Sequence, residues 1–177
     1  MPTVTPRRDS LGVLQRIAAA KTNKTLPQYV AIEGPIGVGK TTLAKKLAAL
    51  LNCPLLLEPV TENPFLDRFY AEGASQALPT QLFFLLQRAK QVQDMPGNDL
   101  LERNIIADFM IEKDDLFAAL TLDPAELALY RQIHSSLQLV PPKPDLVIYL
   151  QAPARVLQQR VFRRGIDFEQ SIDIDYL

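Results

Sequence analysis

Hydrophobic and polar positions along this chain follow two rhythms that alternate. Short unbroken apolar runs, Tyr29-Val30-Ala31-Ile32, Pro54-Leu55-Leu56-Leu57 and Asp145 to Leu150, predict buried strands. Between them, apolar residues recur at helical spacing over Thr42 to Leu51, Phe65 to Glu72, Thr80 to Val92 and Ala152 to Arg164. Punctuation agrees with these bounds. Asn63-Pro64 and Asp123-Pro124 read as helix starts with a capping side chain and proline in the first turn, whereas Gly73, Met95-Pro96-Gly97 and Gly165 read as stops. Leu100-Leu101 is a short candidate third strand delivering Glu102 and Arg103 together. A helix is predicted from about Ile105 to Leu120 and another after Asp123, carrying Leu127, Leu129, Tyr130, Ile133 and Leu137. Strands alternating with helices predict an α/β domain with a mainly parallel sheet.

Candidate chemistry centres on Gly34-Pro35-Ile36-Gly37-Val38-Gly39-Lys40-Thr41, which fills G-x-x-x-x-G-K-[ST] between an apolar run and a helical pattern. The glycines let the backbone turn its N–H groups toward phosphate oxygens at the positive end of the following helix, reaching Thr42. Lys40 adds a mobile charge, and Thr41 offers a hydroxyl to a magnesium ion bridging the terminal phosphates. The bland reading, a simple strand-to-helix connection, does not require all these residue types at once. Glu58 follows the second strand, where functional groups of open α/β sheets collect, although a solvated loop acid is the alternative. Gln81 and Arg88 share a helix face about 10 Å apart along the axis, suited either to solvent or to reading a flat heterocycle.

Composition narrows the picture further. At 177 residues, 47% apolar and 22% charged, the chain is sized for one globular domain. A net charge of −1 gives no basic footprint for nucleic acid. No apolar run approaches the roughly 18 residues of a membrane span. One cysteine, Cys53, excludes an internal disulfide and suits a reducing, cytoplasmic setting. His134 is the single histidine and reads as structural or surface, because it lacks partners for a familiar zinc site. Arg7, Arg8 and Arg16 near the start suit a short helix over Ser10 to Ala20, with a transit peptide as the alternative. Arg160, Arg163 and Arg164 suit the dipole at a helix end and, equally, a lid over triphosphate.

Taken in order, the P-loop, Leu57-Glu58-Pro59, Asn63 to Tyr70, Gln81 with Arg88, Glu102-Arg103, Asp108, and Arg164-Gly165 with Glu169 resemble the deoxynucleoside kinase family, in particular its bacterial members. The resemblance covers nearly the whole chain from Tyr29 onward and implies a P-loop NTPase-type three-layer sandwich with a central parallel sheet and an arginine-rich lid. It further implies one kinase domain over 1–177 with a 1–27 extension, lacking the last helix and strand of the family domain. The implied activity is transfer of the γ-phosphate of ATP, with Mg2+, to the 5′-hydroxyl of a deoxynucleoside, by a homodimer formed through the long helices.

The family roles carry over by position. Glu58 matches the general base, Arg103 the arginine that holds that base and the phosphoryl group, and Glu102 the acid on the magnesium shell. Tyr70 and Glu169 match residues gripping the 3′-hydroxyl. Gln81 matches the residue pairing with the nucleobase, Arg88 and Asp108 a charged pair deeper in its pocket, and Arg160 and Arg164 lid arginines. Departures stand at Ile166, where many animal members have a second lid arginine, at Asn104, and at Glu112, which replaces a stacking aromatic. The Arg88 and Asp108 match points to deoxyadenosine or deoxyguanosine, with deoxycytidine next. Rival readings are a nucleoside monophosphate kinase and a non-catalytic nucleotide-binding subunit; a mechanical ATPase is disfavoured by Gln151 after the strand Leu146 to Leu150.

Overall fold

A computed structural model describes residues 27–94, 104–139, 143–170, 172 and 174. Four parallel strands form one sheet: β1 (Tyr29–Glu33), β2 (Leu55–Leu56), β3 (Ile105–Ala107) and β4 (Leu146–Tyr149), in the order β2-β3-β1-β4. Val30 pairs in register with Ile106 on one side and Leu146 on the other. Parallel neighbours need crossovers, and the helical patterns supply them: α1 (Lys40–Leu51), α2 (Leu66–Glu72), α3 (Ala77–Gln93), α4 (Lys113–Thr121), α5 (Pro124–Ser136) and α6 (Ala154–Arg164).

Side chains alternate across the sheet, and both faces of β1 and β3 are apolar because both are covered. Val30, Ile32 and Ile106 pack against Ala44, Leu47, Ala48 and Leu51 of α1. Tyr29, Ala31, Ile105 and Ala107 face the other way, with Leu56 and Met110 against them. A second core joins α3, α4 and α5 through Ala77, Leu85, Ala118, Leu122 and the fully buried Tyr130.

Local chemistry sets the ends of these helices. Asp123 Oδ1 accepts from the N–H groups of Ala125 and Glu126 at 2.8 and 2.9 Å, while the Glu126 carboxylate accepts from the Asp123 N–H, closing a capping box ahead of α5. Asn63 Oδ1 accepts from Phe65 N–H before α2, which then stops at Gly73. The long helix α3 starts at Ala77 rather than at Thr80, because Pro79 fits within a first turn whose N–H groups need no helical partner.

The predicted element type fails after Asn104. Ile105–Ala107 is the third strand, not the start of a helix, and α4 begins only at Lys113. A run of seven residues, Ile105 to Ile111, satisfies either period. Two adjacent β-branched isoleucines and burial on both faces decide for strand. The expected strand at Leu100-Leu101, the helix at Ser10 to Ala20 and the acid-arginine pair Glu102-Arg103 lie outside the described residues. The expected burial of Asp145 to Leu150 also needs correction, since β4 is an edge strand of this sheet with Leu146, Val147 and Tyr149 exposed.

Candidate active site

Three strands release their chains at the same edge of the sheet, and each delivers one acid or loop to one crevice. After Glu33 at the end of β1 comes the P-loop; Glu58 follows β2 and Asp108 follows β3. In the P-loop, Gly34 has φ +142° and Gly37 φ +77°. A Cβ on Gly34 would lie 2.4 Å from the Leu150 carbonyl oxygen, and one on Gly37 would lie 2.9 Å from the Leu157 carbonyl oxygen. Glycine is therefore required here by both backbone conformation and space. Gly39 precedes α1 in a left-handed conformation, so Lys40, Thr41 and Thr42 form its first turn.

Lys40 Nζ donates to the carbonyls of Gly34 at 2.8 Å and Pro35 at 3.2 Å, so its charge lies over the loop. Burial, then the charge of Lys113, holds its pKa below the ordinary lysine value. Arg160, on α6, donates to the Val38 carbonyl at 2.9 Å and reaches the same loop from the opposite side.

Asp108 links the two halves of the crevice. One carboxylate oxygen accepts from Thr41 Oγ1 at 2.6 Å, and the other accepts from the Glu58 backbone N–H at 2.8 Å. One expectation is not met: Asp108, expected beside Arg88, instead joins Thr41 to the Glu58 backbone, because β3 ends at Ala107 and the next residue reaches Thr41.

Arg88 is instead ion-paired with both Glu58 and Asp114, and its guanidinium packs 5.2 Å from the Phe84 ring centre and 5.5 Å from that of Phe109. Its side chain is 6% exposed and that of Asp114 only 2%, so this junction is held in a low-dielectric interior. Burial pushes the Glu58 carboxyl up, but Arg88 first, then Lys113 and Lys40, more than offset this and hold it below the usual glutamate value. Gln81 lies on the same buried face of α3 and donates to Thr121 Oγ1 at 3.3 Å.

The Tyr70 and Phe168 rings stack with centroids 6.1 Å apart, which brings α2 beside the turn Asp167–Glu169. Glu169 is buried and ion-paired with Arg164. Of the predicted residues, Thr41, Glu58, Arg88 and Asp108 are joined by direct contacts, with Lys40 beside Thr41 and Gln81 two turns before Arg88 on α3; Arg160 reaches the P-loop, and Tyr70, Glu169 and Arg164 meet around the turn Asp167–Glu169. Arg103 and Glu102 lie outside the described residues. Sequence reasoning missed Asp114, Glu33 and Lys113. Asp114 looks like a routine acid in the first turn of a helix, and only the arginine facing it gives it another role.

Comparisons with known proteins bear on the family and the fold. A family model described as deoxynucleoside kinase matches residues 30–177. A deoxyguanosine kinase of Bacillus subtilis (strain 168) is 40% identical over 150 residues, covering 84% of this chain and 72% of that protein. A deoxyadenosine/deoxycytidine kinase of the same organism is 28% identical over 157 residues, covering 83% and 70%. Among solved structures, a deoxyadenosine kinase from M. mycoides with products dCMP and a flexible dCDP bound superimposes with a TM-score of 0.69 at 26% identity, covering 84% of this chain and 76% of that one. With a P-loop, a parallel sheet and acids at three strand ends, the chain belongs to the deoxynucleoside kinase family and is an ATP-dependent deoxynucleoside kinase.

Proposed function

We propose that the chain transfers the γ-phosphate of ATP to the 5′-hydroxyl of a purine deoxynucleoside, with Glu58 as general base. The observation that carries this reading is the placement of Glu58: its backbone is tied to Asp108, which also holds Thr41, while its carboxylate is ionised against Arg88. One acid therefore spans the phosphate side and the acceptor side. A carboxylate so placed can orient a hydroxyl and accept its proton as the phosphoryl group moves.

Residues Gly34 to Thr42 cradle the triphosphate, with Lys40 leaving its loop carbonyls for phosphate oxygens. Thr41 and Asp108 supply the oxygen donors that a hard divalent cation needs, and they stand 2.6 Å apart. Mg2+ held there would neutralise charge on the β- and γ-phosphates. Arg160 and Arg164 act as lid cations, Tyr70 and Glu169 grip the sugar, and Gln81 with Arg88 reads the base. Arg103 has its family role only by resemblance. The purine preference rests on similarity to a deoxyguanosine kinase and on the buried amide and guanidinium of α3.

The enzyme is proposed to be cytoplasmic and homodimeric. Among the described residues no helix is long and apolar enough to cross a membrane. Leu86 on α3, Leu116 and Leu120 on α4 and Leu129 on α5 are exposed, an apolar outer surface suited to a second copy. The test is phosphate transfer from ATP and magnesium to each of the four deoxynucleosides and the four monophosphates, by wild type and Glu58→Gln. Turnover with a purine deoxynucleoside that falls by about 100-fold or more in the variant supports the reading. Unchanged turnover in Glu58→Gln removes the general base, and transfer to monophosphates alone removes the acceptor.

A further inference from the structure

Lys113 opens α4, a position where the helix dipole disfavours a cation. A lysine there is explained by what lies opposite. Its ammonium is 3.3 Å from the carboxylate of Glu33, the last residue of β1 and the one that enters the P-loop. Glu33 is itself fixed from three directions. One oxygen accepts from Met110 N–H at 2.7 Å, the other from Gly34 N–H at 3.3 Å, and its backbone carbonyl accepts from Leu150 N–H at 2.7 Å. The Lys113 ammonium also lies 5.8 Å from the Phe117 ring centre, and the side chain is 19% exposed.

The neighbouring cations are committed elsewhere, Arg88 to two carboxylates and Lys40 to P-loop carbonyls. An ammonium has three donors, and the Glu33 carboxylate does not exhaust them.

We propose that Lys113 is a further positioning residue of the transfer site: with Glu33, which also holds the Met110 and Gly34 N–H groups, it ties the first turn of α4 to the entrance of the P-loop and so fixes the loop that carries Lys40. The proposal rests on the reading of Glu58 as the acceptor-side base. It differs from the simpler role of neutralising the buried Glu33, and the two make opposite statements about a charge-balanced double variant.

The experiment compares wild type, Lys113→Met, Lys113→Arg and the double variant Glu33→Gln/Lys113→Met, measuring kcat and both KM values with magnesium, ATP and deoxyguanosine. Lys113→Met is expected to lower kcat by about 100-fold, the scale of a misplaced reacting group, with both KM values changed by no more than about threefold. Lys113→Arg restores kcat to within about tenfold of wild type, since the cation is kept. The double variant stays as slow as Lys113→Met. Wild-type kcat in Lys113→Met, failure of arginine to restore it, or recovery in the double variant would each overturn the proposal. Thermal melting followed by circular dichroism reports folding. If Lys113→Met does not fold, the double variant, which leaves no unpaired carboxylate, decides the question with Lys113→Arg. Wild type inactive on every deoxynucleoside would instead remove the underlying reading, and the proposal with it.

Discussion

Thr41 and Asp108 are 67 residues apart, yet the threonine hydroxyl donates to the aspartate carboxylate at 2.6 Å, joining the first helical turn of the P-loop to the end of β3. A hydroxyl and a carboxylate at this junction are the protein ligands that P-loop enzymes use for magnesium. Asp108→Asn keeps the shape but removes the charge. It should lower kcat/KM by about 100-fold or more and raise the magnesium concentration needed for half-maximal rate, whereas Glu102→Gln should leave both close to wild type. Magnesium titrations of the two variants check this. A magnesium response that follows Glu102 instead would return the metal to the residue that the family pattern indicates.

The buried junction of Glu58, Arg88 and Asp114 makes a prediction about stability. Arg88 and Asp114 side chains are 6% and 2% exposed, so solvent screens neither. Arg88→Met leaves two carboxylates facing each other without a cation and should destabilise the fold by about 3–5 kcal/mol. Asp114→Leu alone should cost less, because Arg88 retains Glu58. The double variant should be more stable than the sum of the two losses, since the unpaired Asp114 charge is then gone. Urea denaturation of all four proteins measures the coupling, and strict additivity would show that the pair does not interact.

Much of this was legible in the sequence, for identifiable reasons. The P-loop has a fixed length and strict backbone demands, so Gly34 to Thr41 could be placed from residue types alone. Asn63, Asp123 and Gly165 mark helix ends through short-range hydrogen bonds and dihedral angles, which leave local signatures. The region from Ile105 to Asp114 was not legible. Its apolar run fits two periods, and the choice between them was made by pairing with β1, 76 residues away at Tyr29 and Ile105. The pairing of Asp108 with Arg88 came from the family resemblance alone, and Asp114, six residues further on, carried no signal that set it apart from a routine acid in a first helical turn.

Glu58 gives the pH dependence. Its carboxyl is held below the usual glutamate value because Arg88, Lys113 and Lys40 outweigh burial. A depressed folded pKa contributes stability above the unfolded value, and this is lost as pH falls through the folded one. In the proposed role of general base, Glu58 is competent over the same upper range, so kcat/KM should stay level from neutral pH down to acid values below the ordinary titration of glutamate. Replacing Arg88 by Met removes the largest favourable charge and leaves burial, which moves the acid limb toward neutral pH. Rate profiles of wild type and Arg88→Met against pH test the direction. A limb that moves the other way would show that Arg88 is not what holds the Glu58 carboxyl down.

Gly37 tests the P-loop by sterics alone. Its φ is +77°, and a Cβ would meet both the Leu157 carbonyl oxygen and Val161 Cγ2 at 2.9 Å. The oxygen belongs to the backbone of α6 and cannot rotate away, so either the loop or the helix must shift. Gly37→Ala should destabilise the fold by about 1–3 kcal/mol through backbone strain. Any movement of α6 also carries Arg160, whose guanidinium holds the Val38 carbonyl at 2.9 Å, so affinity for ATP should fall together with stability. Gly39→Ala offers the contrast: φ is +107°, but no atom lies within 4 Å of its added Cβ, leaving strain without the clash. Chemical denaturation and ATP titration of the two variants separate these effects. A larger loss of ATP affinity in Gly37→Ala than in Gly39→Ala would place the contact between loop and α6 within the phosphate-binding machinery, and equal losses would confine the effect to backbone conformation.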